Sequence, residues 1–143
     1  MTVGFTGTAE GLTPGQDHRL FLVLIYYYQI RSHKVFRHGD CIGSDDQAAT
    51  WASHIGYKVW GHPPINEKKR AFNKATKLWE PAQDYLTRDR TIVDKSEVLV
   101  ATPSGFEELR RSGTWYTVRY ARQVELPLRI IIWPDGSTTK ETL

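Results

Sequence analysis

A single cysteine, Cys41, among 143 residues excludes an internal disulfide and any zinc site built on several thiolates. A reducing, cytoplasmic setting is the expectation that follows. Long apolar runs are also missing: the most hydrophobic stretch, Leu20 to Tyr28, falls well short of the ~20 residues that a membrane span needs. The start of the chain has a strand-like pattern, without the basic residues and apolar stretch of a signal peptide. The five histidines, His18, His33, His38, His54 and His62, show no metal-ligand spacing, so no metal is expected. Neither GxGxxG nor GxxxxGK followed by Ser or Thr occurs, which removes the standard dinucleotide and P-loop readings. No bound cofactor is expected. No charge of one sign dominates: 19 Lys and Arg face 16 Asp and Glu, a net charge of +3 that favours anionic partners only mildly.

What remains is one ordinary domain, 40% hydrophobic and 24% charged, with five Trp and seven Tyr that need partners for their polar tips. Val3-Gly4-Phe5-Thr6-Gly7-Thr8 reads as a strand breaking into a loop. Thr13, Pro14 and Gln16 then mark a capped helix start, and the helix is expected to run to about Arg31. Its nearly continuous apolar content, with Tyr26, Tyr27 and Tyr28, suggests cover on more than one side and a homo-oligomer. Val35 to His38 is a second strand. A second capping box, Ser44 with Gln47, opens a helix that ends at Gly56, and Tyr57 to Trp60 is a third strand. The stretch at about 62–82 is a polar, basic insertion, read as a short helix or a flap. A helix from Asp84 to about Lys95, a strand at Val98 to Ala101, a helix after Arg111 and a last strand at Leu128 to Trp133 complete the pattern, followed by a polar tail.

Strands alternating with helices predict a Rossmann-like α/β domain over 1–143: a mostly parallel sheet of about five strands with helices on both faces. Ligands of such sheets bind outside the carboxyl ends of the strands, where strand order switches. Three glycine loops are expected there: Gly4 to Thr8, Gly39 to Ser44, and Ser112-Gly113-Thr114. Each precedes a helix, whose free N–H groups and dipole suit a phosphate. The competing reading is of ordinary strand-to-helix turns.

Gly4-Phe5-Thr6-Gly7-Thr8, His38-Gly39-Asp40-Cys41-Ile42-Gly43-Ser44-Asp45, the stretch from Tyr85 to Asp94, and Ser112-Gly113-Thr114-Trp115 together resemble the SLOG superfamily. That group includes the lonely-guy phosphoribohydrolases and the DNA-processing protein A domain, and the likeness is strongest to short bacterial and phage proteins. The resemblance spans Val3 to about Trp133. It implies a nucleotide or nucleotide derivative held by Thr6, Gly7, Thr8, Gly39, Asp40, Cys41, Gly43, Ser44, Asp45, Arg88, Ser112, Gly113, Thr114 and Trp115. Arg88 matches the arginine that faces the ligand in the phosphoribohydrolases, and Asp89 stands where relatives commonly have Asn. Those hydrolases carry PGGxGTxxE with a catalytic Glu; here Arg111 to Arg119 contains no Glu.

The leading expectation is therefore binding of a nucleotide-derived small molecule, ADP-ribose-like, cyclic or mononucleotide. The first alternative is an N-glycosidase or phosphoribohydrolase using Asp40 or Glu10 with Arg88, because cleavage of an N-glycosidic bond needs a carboxylate. Asp45 and Asp46 read instead as first-turn acids favoured by the helix dipole, with Asp45 also placed to close the loop. The second alternative is single-stranded nucleic-acid binding through Lys68 to Lys77, with Phe72 and Trp79 as stacking platforms.

Overall fold

Alternation along β1 (Thr2–Gly7) sends Val3 and Phe5 to one face of a sheet and Gly4 and Thr6 to the other. In the computed structural model, which describes residues 1–143, that face is a core of 15 buried residues. Val3, Phe5, Phe36, Val59, Val100 and Ile130 pack there under Leu20 and Leu24 of α1 (Pro14–Gln29) and Ala48, Ala49 and Ala52 of α2 (Ser44–Ile55). The opposite face is a separate core, in which Leu99, Ala101 and Ile131 meet Val93 of α3 (Tyr85–Asp94) and Trp115, Val118 and Ala121 of α4 (Gly113–Gln123). Helices thus cover both faces.

The sheet has seven strands rather than about five. They are β1, β2 (Val35–His38), β3 (Lys58–Gly61), β4 (Leu78–Trp79), β5 (Val98–Thr102), β6 (Leu128–Ile132) and β7 (Thr138–Thr142), in the order β4-β3-β2-β1-β5-β6-β7. All pair in parallel except β7, which returns antiparallel along β6. Both extra strands are at the edges. The two residues of β4 lie within the stretch expected to be an insertion, and β7 is the expected polar tail. An edge strand buries little, so TTKET carries no apolar alternation to betray it.

From β1 the chain steps outward to β2, β3 and β4, then returns to place β5 on the other side of β1, where Gly7 pairs with Thr102. The switch in strand order therefore falls between the carboxyl ends of β1 and β5.

The start of α1 follows the expected chemistry: Thr13 Oγ1 accepts from Gln16 N, and Gln16 Oε1 accepts from Thr13 N. The helix stops at Gln29, two residues short of expectation, and buries one stripe, leaving Leu22, Tyr26 and Ile30 exposed. The second capping box does not form. Gly43 is the N-cap of α2 and supplies no side chain, while Gln47 Oε1 accepts instead from Leu12 N. No helix is long and apolar enough to cross a membrane.

Candidate functional site

Loops that leave β1 and β5 at the switch point must diverge to enter helices on opposite faces, and a cavity of about 620 Å³ opens between them. Thr6 to Ala9 form one wall, and Ser104 with Leu109 to Thr114 the facing wall. Gly39, Cys41 and Asp45 close one end, and α3 contributes Tyr85, Leu86, Arg88, Asp89 and Ile92. Of the residues singled out in the sequence, Thr6, Gly7, Thr8, Gly39, Cys41, Asp45, Arg88, Ser112, Gly113 and Thr114 line this cavity. Asp40, Gly43, Ser44, Trp115 and Glu10 do not.

Each of those five has a reason to lie elsewhere. Asp40 is fully buried with its carboxylate taken up by the next segment: Oδ2 accepts from Arg70 Nε at 2.7 Å and Phe72 N at 3.2 Å, and Oδ1 from Asn73 N at 2.9 Å. The basic stretch is thereby tied down. Its expected stacking platforms already hold a cation, since the Arg70 guanidinium sits 4.3 Å from the Phe72 ring and 4.7 Å from the Trp79 ring. Glu10 lies outside the cavity on an exposed turn. Neither Asp40 nor Glu10 is placed to act on a ligand there. Gly43 has φ of +93° and abuts the Ala9 carbonyl, a packing role in a backbone conformation that favours glycine. Ser44 Oγ donates to Thr8 O at 2.7 Å, stitching two loops together. Trp115 is a core residue against Trp133, ring centroids 5.8 Å apart.

The three glycine loops differ in the state of their amides. In the second, Asp45 Oδ2 accepts from Gly39 N at 3.0 Å and Cys41 N at 3.3 Å, and His38 Nδ1 accepts from Asp40 N. The first three amides of that loop are thus taken up by its own side chains. At the start of α4, the Ser112 hydroxyl accepts only from Trp115 N, and the N–H groups of Gly113 and Thr114 donate to no protein acceptor. After β1, Thr8 N reaches Thr102 O, while the N–H of Ala9 has no protein acceptor. The unpartnered donors of the cavity wall therefore include Ala9 after β1 and Gly113 and Thr114 at the start of α4.

Arg88 organises the floor of the cavity. It is 3% exposed; Nη1 donates to the Gly39 carbonyl and to Cys41 Sγ (3.2 Å), Nη2 lies 3.0 Å from Asp89 Oδ1, and the Tyr85 ring stacks 4.6 Å away. Its Nε has no partner. Burial works against its charge, but Asp89, Cys41 and Asp45 raise its pKa above the ordinary value. Burial pushes the carboxyl of Asp45 up to about 7 and that of Asp89 to about 6, with Arg88 opposing both rises. Burial also pushes the Cys41 thiol up. Two carboxyls near neutrality beside one fixed cation make the local charge depend on pH. Away from the cavity, burial drops His38 to about 3, so its neutral ring accepts at Nδ1 and donates from Nε2 to Thr76 Oγ1. No group of three or more His, Cys, Asp or Glu is arranged to hold a metal ion.

Tyr85, Leu86, Asp89, Arg110, Arg111 and Tyr116 also line the cavity and were not among the expected ligand residues. Tyr85, Arg88 and Ile92 recur about one helical turn apart, which was the available sign that they share a face. Arg110 and Arg111 immediately precede the α4 cap, a position that sequence spacing alone does not distinguish from solvent.

The fold and the crevice define a Rossmann-like α/β protein whose candidate site lies at the topological switch point. Solved structures share this architecture. A molybdenum cofactor binding protein from Rippkaea orientalis superposes with a TM-score of 0.70 at 20% identity, over 92% of this chain and 76% of that one. The molybdenum cofactor carrier protein of Chlamydomonas reinhardtii gives 0.65 at 18%, over 92% and 74%. DNA processing protein A from Streptococcus pneumoniae gives 0.64 at 16%, over 92% of this chain but about half (49%) of that one. No family model matches the chain, and no curated protein matches it by sequence.

Proposed function

We propose that the protein binds a nucleotide or nucleotide-derived small molecule in the switch-point cavity, as a SLOG-type domain. The observation that carries this reading is the set of unpartnered N–H groups on Ala9, Gly113 and Thr114, which line the same cavity as Arg88 from facing walls. An anionic group satisfies such donors, and the α4 dipole adds to the attraction. Phe5, Tyr85, Leu86, Ile92 and Leu109 add an apolar and aromatic part to the wall, which suits a flat ring. A volume of about 620 Å³ lies in the range of small-molecule sites. Two proteins of the same fold are described as binding or carrying molybdenum cofactor, so a small-molecule ligand has precedent on this architecture.

The test is thermal stabilisation against mononucleotides, cyclic nucleotides and ADP-ribose derivatives. At least one compound raises Tm saturably, and Gly113→Asp abolishes the shift. An unchanged Tm across the panel contradicts the proposal.

A further inference from the structure

Resting on that reading, the charge distribution of the cavity goes further and selects the kind of anion. Arg88 is flanked by Asp45 and Asp89, so its charge is already answered. Arg119, also on the wall, is paired within the protein: Nη1 donates to Glu108 Oε2 at 3.1 Å and Leu109 O at 3.1 Å, and Nη2 to Arg110 O at 2.9 Å. Those bonds pin the segment 108–110 onto α4. Arg110 and Arg111 follow directly, both line the cavity, and neither guanidinium makes a hydrogen bond or ion pair within the protein.

The unanswered positive charge is therefore concentrated on one side, continuous with the free amides of Gly113 and Thr114. Arg88, 3% exposed and with an unpartnered Nε, faces the same cavity from α3. We infer that Arg110 and Arg111 form a second anion position beside the α4 amides, so that the preferred ligand carries a diphosphate rather than a single phosphate. Two amides at a helix start suit one phosphoryl group. A pair of planar guanidinium forks one residue away suits a second, because each can donate two parallel N–H bonds to phosphate oxygens.

Inorganic phosphate and pyrophosphate test this without knowledge of the base, alongside AMP with ADP and GMP with GDP. Wild-type protein is expected to bind pyrophosphate about tenfold or more tighter than phosphate, a difference of about 1.4 kcal/mol. The diphosphates should show the same preference. In Arg110→Gln/Arg111→Gln the preference should collapse to within about twofold, because affinity for pyrophosphate and the diphosphates falls much further than affinity for phosphate and the monophosphates. A control, Lys68→Gln/Lys74→Gln, removes equal charge from outside the cavity and should leave the preference intact. Equal affinity of wild type for the members of each pair overturns the inference but leaves the binding proposal standing. So does a preference that the double variant retains, or one lost equally in the lysine control. Absence of binding by every nucleotide and both inorganic anions overturns both.

Discussion

Asp45 Oδ2 lies 3.0 Å from the amide of Gly39, inside the loop that resembled a phosphate cradle. The loop's own acid thus fills the place an anion would take there, and the proposed site draws its donors from the end of β1 and the start of α4. The same carboxylate, buried beside Arg88, makes this loop sensitive to protonation.

The contribution of Asp45 to stability should fall as pH rises from about 4 to about 7, against the opposite contribution of buried His38 and His62, whose pKa values are pushed down to about 3 by burial. The Asp45 carboxyl is ordinarily near 3.8 and is pushed up to about 7 by burial. Between those values the folded protein holds a proton that the unfolded chain has released, so raising pH favours unfolding. Asp89, raised to about 6, acts in the same direction over a narrower window. Relative to wild type, the stability of Asp45→Asn should fall less, or rise more, as pH increases over that range. Urea unfolding across that range checks this, and identical slopes for variant and wild type would contradict the assignment.

Replacing Arg88 by Met removes the cation that both buried carboxylates face. Leaving such charges unpaired costs about 3 to 5 kcal/mol. The loss should be largest near pH 8 and smaller near pH 5.5, where protonation neutralises Asp45 and Asp89. Denaturant midpoints at the two pH values decide it, and a pH-independent loss would argue against the triad.

Gly113 and Gly43 should behave oppositely. A Cβ on Gly113 meets nothing nearer than Tyr85 Cε1 at 3.9 Å, and an acid at the first position of α4 suits the helix dipole. Gly113→Asp should therefore keep or slightly raise Tm while abolishing anion binding. Gly43 combines φ of +93° with direct abutment on Ala9, so Gly43→Ala should cost about 1 to 3 kcal/mol and lose binding only through unfolding. Differential scanning fluorimetry with and without ligand separates the two.

Asp40→Ala should loosen the segment 70–73 and leave the ligand site intact. Its carboxylate accepts two backbone amides and the Arg70 guanidinium, so the loss is about 3 kcal/mol, with faster proteolysis between Arg70 and Lys77. Ligand affinity in the folded fraction should be unchanged. A selective loss of binding at full stability would return Asp40 to the site.

Periodicity and capping made the central architecture legible. The Thr13/Gln16 box, the Asp84 cap of α3 and the apolar runs of β5 and β6 each follow from local chemistry. The edges were not legible, because Leu78-Trp79 is two residues long and β7 is polar throughout. At the site, glycine and hydroxyl residues marked loops that reach the crevice, and the place of Asp45 at the helix start already suggested that it closes the second loop, as its bonds to Gly39 N and Cys41 N do. Spacing could not reveal that Asp40 secures the basic stretch, since its partners Arg70, Phe72 and Asn73 are brought to it only by the fold.

The most direct measurement is amide chemical-shift perturbation on a 15N-labelled sample titrated with ADP. Binding as described moves the resonances of Ala9, Gly113 and Thr114 saturably, and leaves those of Gly39 and Cys41, already donated to Asp45, the less affected. Shifts centred on Gly39 and Cys41, with Gly113 and Thr114 unmoved, would contradict the account.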